Sequence, residues 1–282
     1  MSKLYIVPTP IGNLDDITLR AVRVLREVDL ILAEDTRTSS VLLRHLGIEK
    51  RLHAHHKFNE HATAAVVAET IAAGRTVALI SDAGTPGISD PGEDLVRICY
   101  EQGIEVTSLP GAAACITALT LSGLPTRRFS FEAFLPKEKK ERAAVLEELK
   151  NDTRTLIVYE APHHLLGTLK ELQNALGDRR LTVCRELTKK FETAFQTTFS
   201  EAIRYYEEQG VRGECVLVIE GRSREELVQE AQQSWEAISV EEHMEHYLST
   251  GMDRKSAMKQ VAKDRGVGKR EIYQMLLNAE NE

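Results

Sequence analysis

Two nucleotide-binding signatures are missing from this 282-residue chain. There is no G-x-G-x-x-G and no G-x-x-x-x-G-K-[ST], which argues against an ordinary dinucleotide fold and against a P-loop NTPase. Cysteine is scarce: Cys99, Cys115, Cys184 and Cys215 lie far apart, each in an apolar stretch. No pair of them has zinc spacing, so they read as reduced, buried thiols of a cytosolic protein. Long apolar runs are lacking too. The longest, residues 111–124, is interrupted by Thr117, Thr120 and Ser122 and falls short of the roughly 20 residues that span a bilayer. Residues 1–10 hold one lysine, a short apolar run and no small-residue cleavage site, so they do not read as a signal peptide. Finally, basic charge is not in excess. With a net charge of −7, a nucleic-acid partner would need a local basic patch.

What is present is enough apolar residue, 42%, to bury a core, and a length that suits about two domains. Short β-branched runs at residues 4–7, 30–32, 77–80 and 105–109 are continuously apolar, as expected of strands buried on both faces. Helical patterns at 18–27, 39–45, 61–73 and 92–102 alternate with them. Thr18 is placed as an N-cap, and Gly47, Gly74 and Gly103 are placed as helix stops. The rhythm implies an α/β domain with a mostly parallel sheet.

Gly123 and Pro125 mark a break. Beyond it, strands at 129–134, 155–159, 181–184, 194–198 and 215–219, with helices at 138–150 and 165–176, form a second α/β domain. A hairpin between the strands at 181–184 and 194–198 would make its sheet mixed. The expected division is therefore 1–122, 123–221 and a helical tail, 222–282. In the tail, residues 222–252 hold two basic and seven acidic residues, whereas 253–273 hold seven basic and three acidic. Two short amphipathic helices at 255–263 and 269–277 have helix-turn-helix spacing.

The densest signal is Ser81-Asp82-Ala83-Gly84-Thr85-Pro86-Gly87-Ile88-Ser89-Asp90-Pro91-Gly92. It leaves the carboxyl end of a strand, where open α/β sheets bind ligands, and it is far longer than the four residues a turn needs. Equivalent loops follow other strands: Pro8-Thr9-Pro10-Ile11-Gly12-Asn13-Leu14, Leu109-Pro110-Gly111-Ala112-Ala113-Ala114, and Tyr159-Glu160-Ala161-Pro162-His163-His164. The small residues of the second leave room for a flat ring.

These loops, together with Glu34-Asp35-Thr36-Arg37, resemble the ribosomal RNA small subunit methyltransferase I family, of the tetrapyrrole-methylase-like superfamily. The resemblance covers nearly the whole chain. It implies two α/β domains with a cleft between them for S-adenosylmethionine, a homodimer, and methyl transfer to a cytidine 2′-hydroxyl of 16S rRNA in the decoding region of the small subunit. Carried over by motif, the cofactor residues are Pro10, Ser81, Asp82, Thr85, Ala113, Ala114, Glu160 and Leu187 or Thr188. Such transfer needs positioning, exclusion of water and a base for the hydroxyl proton. Asp35 is the expected base and Arg37 the expected phosphate contact; a helix cap and a surface ion pair are the alternatives.

His53, His55, His56 and His61 lack the partners of a metal site. With Lys57, Asn59 and Glu60 they are expected to form a substrate-facing loop. Lys189 and Lys190 are either RNA contacts or a solvated strand end. The basic tail residues are expected to hold RNA; packing on a dimer partner is the other reading. Two rival functions stand beside the first. One is methylation of a small tetrapyrrole-like molecule, which would need no basic tail. The other is a non-enzymatic nucleic-acid regulator, which would need no twelve-residue ligand loop. The protein is expected in the cytoplasm.

Overall fold

The computed structural model describes residues 2–56 and 60–279. Its first sheet is made of β1 (Leu4–Ile6), β2 (Leu30–Ala33), β3 (Leu52–Ala54), β4 (Val77–Ile80) and β5 (Val106–Ser108), in the order β3-β2-β4-β1-β5. All four pairings are parallel, with Tyr5 opposite Ala78 on one side and Thr107 on the other. The connecting helices are α1 (Leu19–Glu27), α2 (Thr36–His45), α3 (Glu60–Ala72) and α4 (Glu93–Glu101). Val24, Leu25 and Leu43 of α1 and α2 seal one face of the sheet, and Ala68, Ile71, Leu95 and Cys99 of α3 and α4 seal the other. This double burial is why its strands read as unbroken apolar runs.

Thr18 caps α1, its hydroxyl accepting from the Ala21 N–H at 3.1 Å. Helix α2 begins three residues before the sequence pattern suggests, because the Asp35 carboxylate caps it by accepting from the Arg37 N–H at 2.8 Å.

Helix α5 (Ala114–Leu121) shows no periodic polar face, and the sequence pattern does not mark it. It lies in the stretch assigned to the first domain, yet Cys115, Ala118 and Leu119 pack on Ile157, Cys184, Val216 and Val218 of the second sheet. That sheet contains β6 (Phe129–Phe134), β7 (Thr155–Glu160), β8 (Arg180–Arg185), β9 (Thr193–Thr198) and β10 (Cys215–Ile219), in the order β6-β7-β10-β8-β9. Only β6 and β7 are parallel; the other pairings are antiparallel, including the β8–β9 hairpin. Helices α6 (Lys139–Leu149), α7 (Leu165–Leu176) and α8 (Phe199–Gln209) cover its outer face, with Leu169, Leu172 and Phe199 fully buried there. Helix α8 also escapes the sequence pattern; Thr198, the last residue of β9, is its N-cap.

Both sheets belong to one compact unit, Met1–Lys150 with Arg154–Glu220, and the tail with residues 151–153 forms another. The tail holds α9 (Arg224–Glu236), α10 (Val240–Ser249), α11 (Arg254–Asp264) and α12 (Lys269–Ala279). The last three pack through Met244, Ala257, Met258, Val261, Ile272 and Leu276. Among the described residues no helix is long and apolar enough to cross a membrane.

Candidate active site

The loops after β1, β4 and β5 converge at the carboxyl ends of the parallel strands. Thr9 and Gly84 exchange backbone hydrogen bonds at 2.8 and 3.1 Å, and the Thr9 hydroxyl donates to the Ser81 carbonyl at 3.1 Å. The Thr85 hydroxyl donates to the Ala112 carbonyl at 2.9 Å, tying the β4 loop to the β5 loop. Gly84 has φ +87°, and a Cβ on it would press Ile11 at 3.3 Å. The β1 loop also touches the second sheet. A Cβ on Gly12 would stand 2.7 Å from the Leu187 carbonyl, closer than non-bonded atoms approach. Glycine is what lets these two backbones meet.

Between the loops lies a cleft of about 440 Å³, a size typical of small-molecule sites. Its floor on the first-sheet side is small and acidic: Gly84, Ala113 and Ala114 with Glu34, Asp82 and Asp90. The Asp82 carboxylate accepts from the Asp35 N–H at 3.1 Å, and Glu34 accepts from the Asp82 N–H. Burial, then the negative charge of Glu34, pushes the Asp90 carboxyl up to about 6. Burial also raises Glu34 and Asp82. The second sheet supplies Phe134, Tyr159, Glu160, Glu186, Leu187 and Lys189. Glu160 is buried, accepting from the Thr168 hydroxyl at 2.5 Å, and Arg142 donates to that same hydroxyl at 2.8 Å.

All four non-glycine residues with positive φ among those described line this cleft or adjoin its lining: Ser89, Ala133, Glu186 and Thr188. Such conformations persist where the surrounding structure enforces them, and they concentrate at functional sites.

Comparison with known proteins agrees with this geometry. Residues 3–203 match the family model described as Tetrapyrrole (Corrin/Porphyrin) Methylases. The ribosomal RNA small subunit methyltransferase I of Halalkalibacterium halodurans is 47% identical over 270 residues, covering 96% of this chain and 93% of that one. Its Bacillus subtilis namesake is 46% identical, covering 97% and 93%. The chain belongs to the ribosomal RNA small subunit methyltransferase I family. Among solved structures, a diphthine synthase superposes with TM-score 0.63 at 14% identity, covering 78% of this chain and 90% of that one. A Thermus thermophilus uroporphyrin-III C-methyl transferase, solved with S-adenyl homocysteine, superposes with TM-score 0.55 at 20% identity, covering 77% and 97%. Both share the fold.

In this member of the methyltransferase I family, the residues carried over by motif divide into three groups. Asp82, Thr85, Ala113, Ala114, Glu160 and Leu187 line the cleft. Ser81 lies buried beneath it, its hydroxyl reaching the Gly84 carbonyl at 3.3 Å and the Asp90 carboxyl. Pro10 and Thr188 flank lining residues without lining the cleft themselves, and the Thr188 hydroxyl is buried with no protein partner among the described residues. With Glu34 and Asp90 beside them, the set fits an organic cation: carboxylates, small side chains and an unsatisfied hydroxyl beside the wall.

Asp35 and Arg37 stand apart from the lining. The Arg37 guanidinium pairs with the Asp35 carboxylate at 2.7 Å while remaining 90% exposed, and it holds Asp35 down to about 2. The carboxylate also caps α2, and the Asp35 N–H orients Asp82. The cleft carboxylate that spacing alone does not single out is Asp90, which reads along the chain as part of a backbone cradle in the ligand loop. The only signal is its place among Glu34 and Asp82, which requires the fold.

His53 is exposed on β3, while His55, just past the strand, is buried with Nδ1 2.9 Å from the Thr63 hydroxyl. Lys57 and Asn59 lie outside the described residues, as do the side chains of Glu60 and His61. Among the described residues no group of three His, Cys, Asp or Glu could hold a metal ion. Lys189 lines the cleft, paired with Glu186 at 3.0 Å, and Lys190 lies over the exposed Phe191 ring at 5.7 Å.

Proposed function

We propose that this protein methylates the ribose 2′-oxygen of a cytidine in 16S rRNA, in the decoding region. As a member of its family it is an S-adenosylmethionine-dependent rRNA methyltransferase. The single observation that carries the cofactor assignment is the acidic, small-residue floor of the cleft. Glu34, Asp82 and Asp90 oppose a cation there, while Gly84, Ala113 and Ala114 leave it room. The cofactor supplies an activated methyl group. The chain holds the acceptor oxygen in line, excludes water and receives the hydroxyl proton. Asp90, which lines the cleft and whose carboxyl burial pushes up to about 6, is the acceptor we favour over Asp35, and Arg37 is left for a phosphate at the rim. An RNA carrying a single 2′-deoxy sugar at the target should accept no methyl group there. Methylation of that RNA at the same nucleotide would move the acceptor to the base and overturn the reading.

The reading extends to a homodimer in the cytoplasm and to a tail that grips RNA. Arg254, Lys255, Lys259, Lys263, Lys269 and Arg270 are exposed on α11 and α12. Arg265, expected among them, has a structural task instead. It donates to the Ile238 and Ser239 carbonyls at 2.6 and 2.9 Å and to His243 Nδ1 at 3.2 Å. Replacing Lys259 and Lys263 by glutamate should weaken RNA binding and flatten its salt dependence by about two units of slope. An unchanged slope would leave the tail a packing module. A small tetrapyrrole substrate finds no support in such a tail, and a non-enzymatic regulator finds none in the family.

A further inference from the structure

Strand β6 carries a bulge whose consequence lies at the cleft mouth. Its pairing with β7 runs from Phe131 opposite Ile157 directly to Ala133 opposite Val158, leaving Glu132 unpaired. Ala133 takes φ +52° to make this possible. Side chains alternate across a strand, so a regular β6 would send Phe131 and Phe134 to opposite faces. The extra residue shifts the alternation by one and returns Phe134 to the face of Phe131. Both rings then meet Tyr159 edge-on, with centroids at 4.9 Å and 5.6 Å. Tyr159 is itself fixed, its phenolic oxygen accepting from the Cys115 N–H at 3.0 Å. Phe131 and Tyr159 are partly buried, whereas Phe134 lines the cleft and stays 57% exposed. A large exposed aromatic held by strained backbone is not a core residue.

We propose that Phe134 is the platform on which the base of the methyl-accepting nucleotide stacks, an inference that rests on the rRNA reading above. Two substances could use an aromatic face here, the cofactor's adenine and the substrate's base. The position favours the base. Phe134 ends the edge strand of the second sheet and presents a largely exposed ring to the cleft, whereas the first-sheet side of the lining offers small residues and carboxylates and no aromatic ring. RNA-binding proteins take unstacked bases onto aromatic side chains, and enzymes acting on one nucleotide draw it out of its stack. An aromatic face accepts any base, so Phe134 would set the base plane, and with it the ribose, without reading the sequence.

The test compares wild type, Phe134→Tyr and Phe134→Ala on two RNAs, one intact and one lacking only the target base. On intact RNA, Phe134→Ala should lose on the order of tenfold or more in kcat/KM, and Phe134→Tyr should keep nearly all of it. On the abasic RNA all three proteins should be equal within about twofold, because the partner of the ring is gone. Calorimetry should give the same S-adenosylmethionine affinity for all three. An equal loss on both RNAs, or no loss on either, overturns the proposal. Weaker S-adenosylmethionine binding by Phe134→Ala assigns the ring to adenine and overturns it too. Wild type that transfers no methyl group to ribose in intact RNA sinks the functional reading itself, and this inference with it.

Discussion

The two sheets build opposite walls of one cleft by different means. The first is all parallel, so the carboxyl ends of its strands lie on one edge and its loops gather there by topology. It contributes backbone, small side chains and three carboxylates, with one strained residue, Ser89. The second sheet is mixed, and its strand ends point both ways. It reaches the cleft through a bulge and a strained turn, at Ala133, Glu186 and Thr188, and it contributes aromatics, Lys189 and three carboxylates of its own, Glu160, Glu186 and Glu214. A parallel sheet presents a ligand edge by construction. A mixed one must bend its backbone to do so.

The contrast concerns local construction, not independence, because both sheets lie in one compact unit. Breaking either core tests that most severely. Phe199→Ala, under the second sheet, should cost about 3–5 kcal/mol, and Leu95→Ala, over the first, about 2–5 kcal/mol. Each residue is fully buried. Amide exchange in β4 and β10 should accelerate together for either variant. Acceleration confined to the damaged sheet would restore two independent domains, divided near residue 122 as the sequence suggests.

A smaller effect tests the carboxylates of the first wall. The Asp90 carboxyl is raised to about 6 by burial and by Glu34. A raised carboxyl favours the folded state while protonated, so its contribution to stability of the ligand-free protein is present below about pH 4 and is lost as pH rises through about 6. Cation binding should run the other way. S-adenosylmethionine affinity should tighten as pH rises from about 5 to 7, by roughly fivefold, what an ion pair of up to about 1 kcal/mol provides. Asp90→Asn should flatten that rise. If the variant keeps the full pH dependence, the acidic wall is not what opposes the cofactor's charge.

Much of the parallel sheet can be read from the chain. Apolar runs buried on both faces mark β1, β2 and β4 to within a residue at either end, and a twelve-residue loop after β4 announces a ligand. Such patterns are local consequences of burial and of turn chemistry. The second sheet's strands are equally legible, but α5 and α8 are not. Residues 114–121 carry no polar stripe, and only contact with β7 and β10 makes them a helix packed on the second sheet.

Legible along the chain are the order of most strands and helices, the glycine-rich ligand loop, the capping of α1 and the family to which the chain belongs. Those depend on neighbours along the chain or on whole motifs. Tertiary structure decided which charges meet. It joined Asp35 to Arg37 as a weakly basic pair, collected Glu34, Asp82 and Asp90 from two loops, withdrew Arg265 into the tail's framework, and turned Phe134 toward the cleft through a single unpaired residue. Proton affinity depends on burial and on charges within a few ångströms, and a side chain's direction depends on strand register. Neither is written in spacing along the chain.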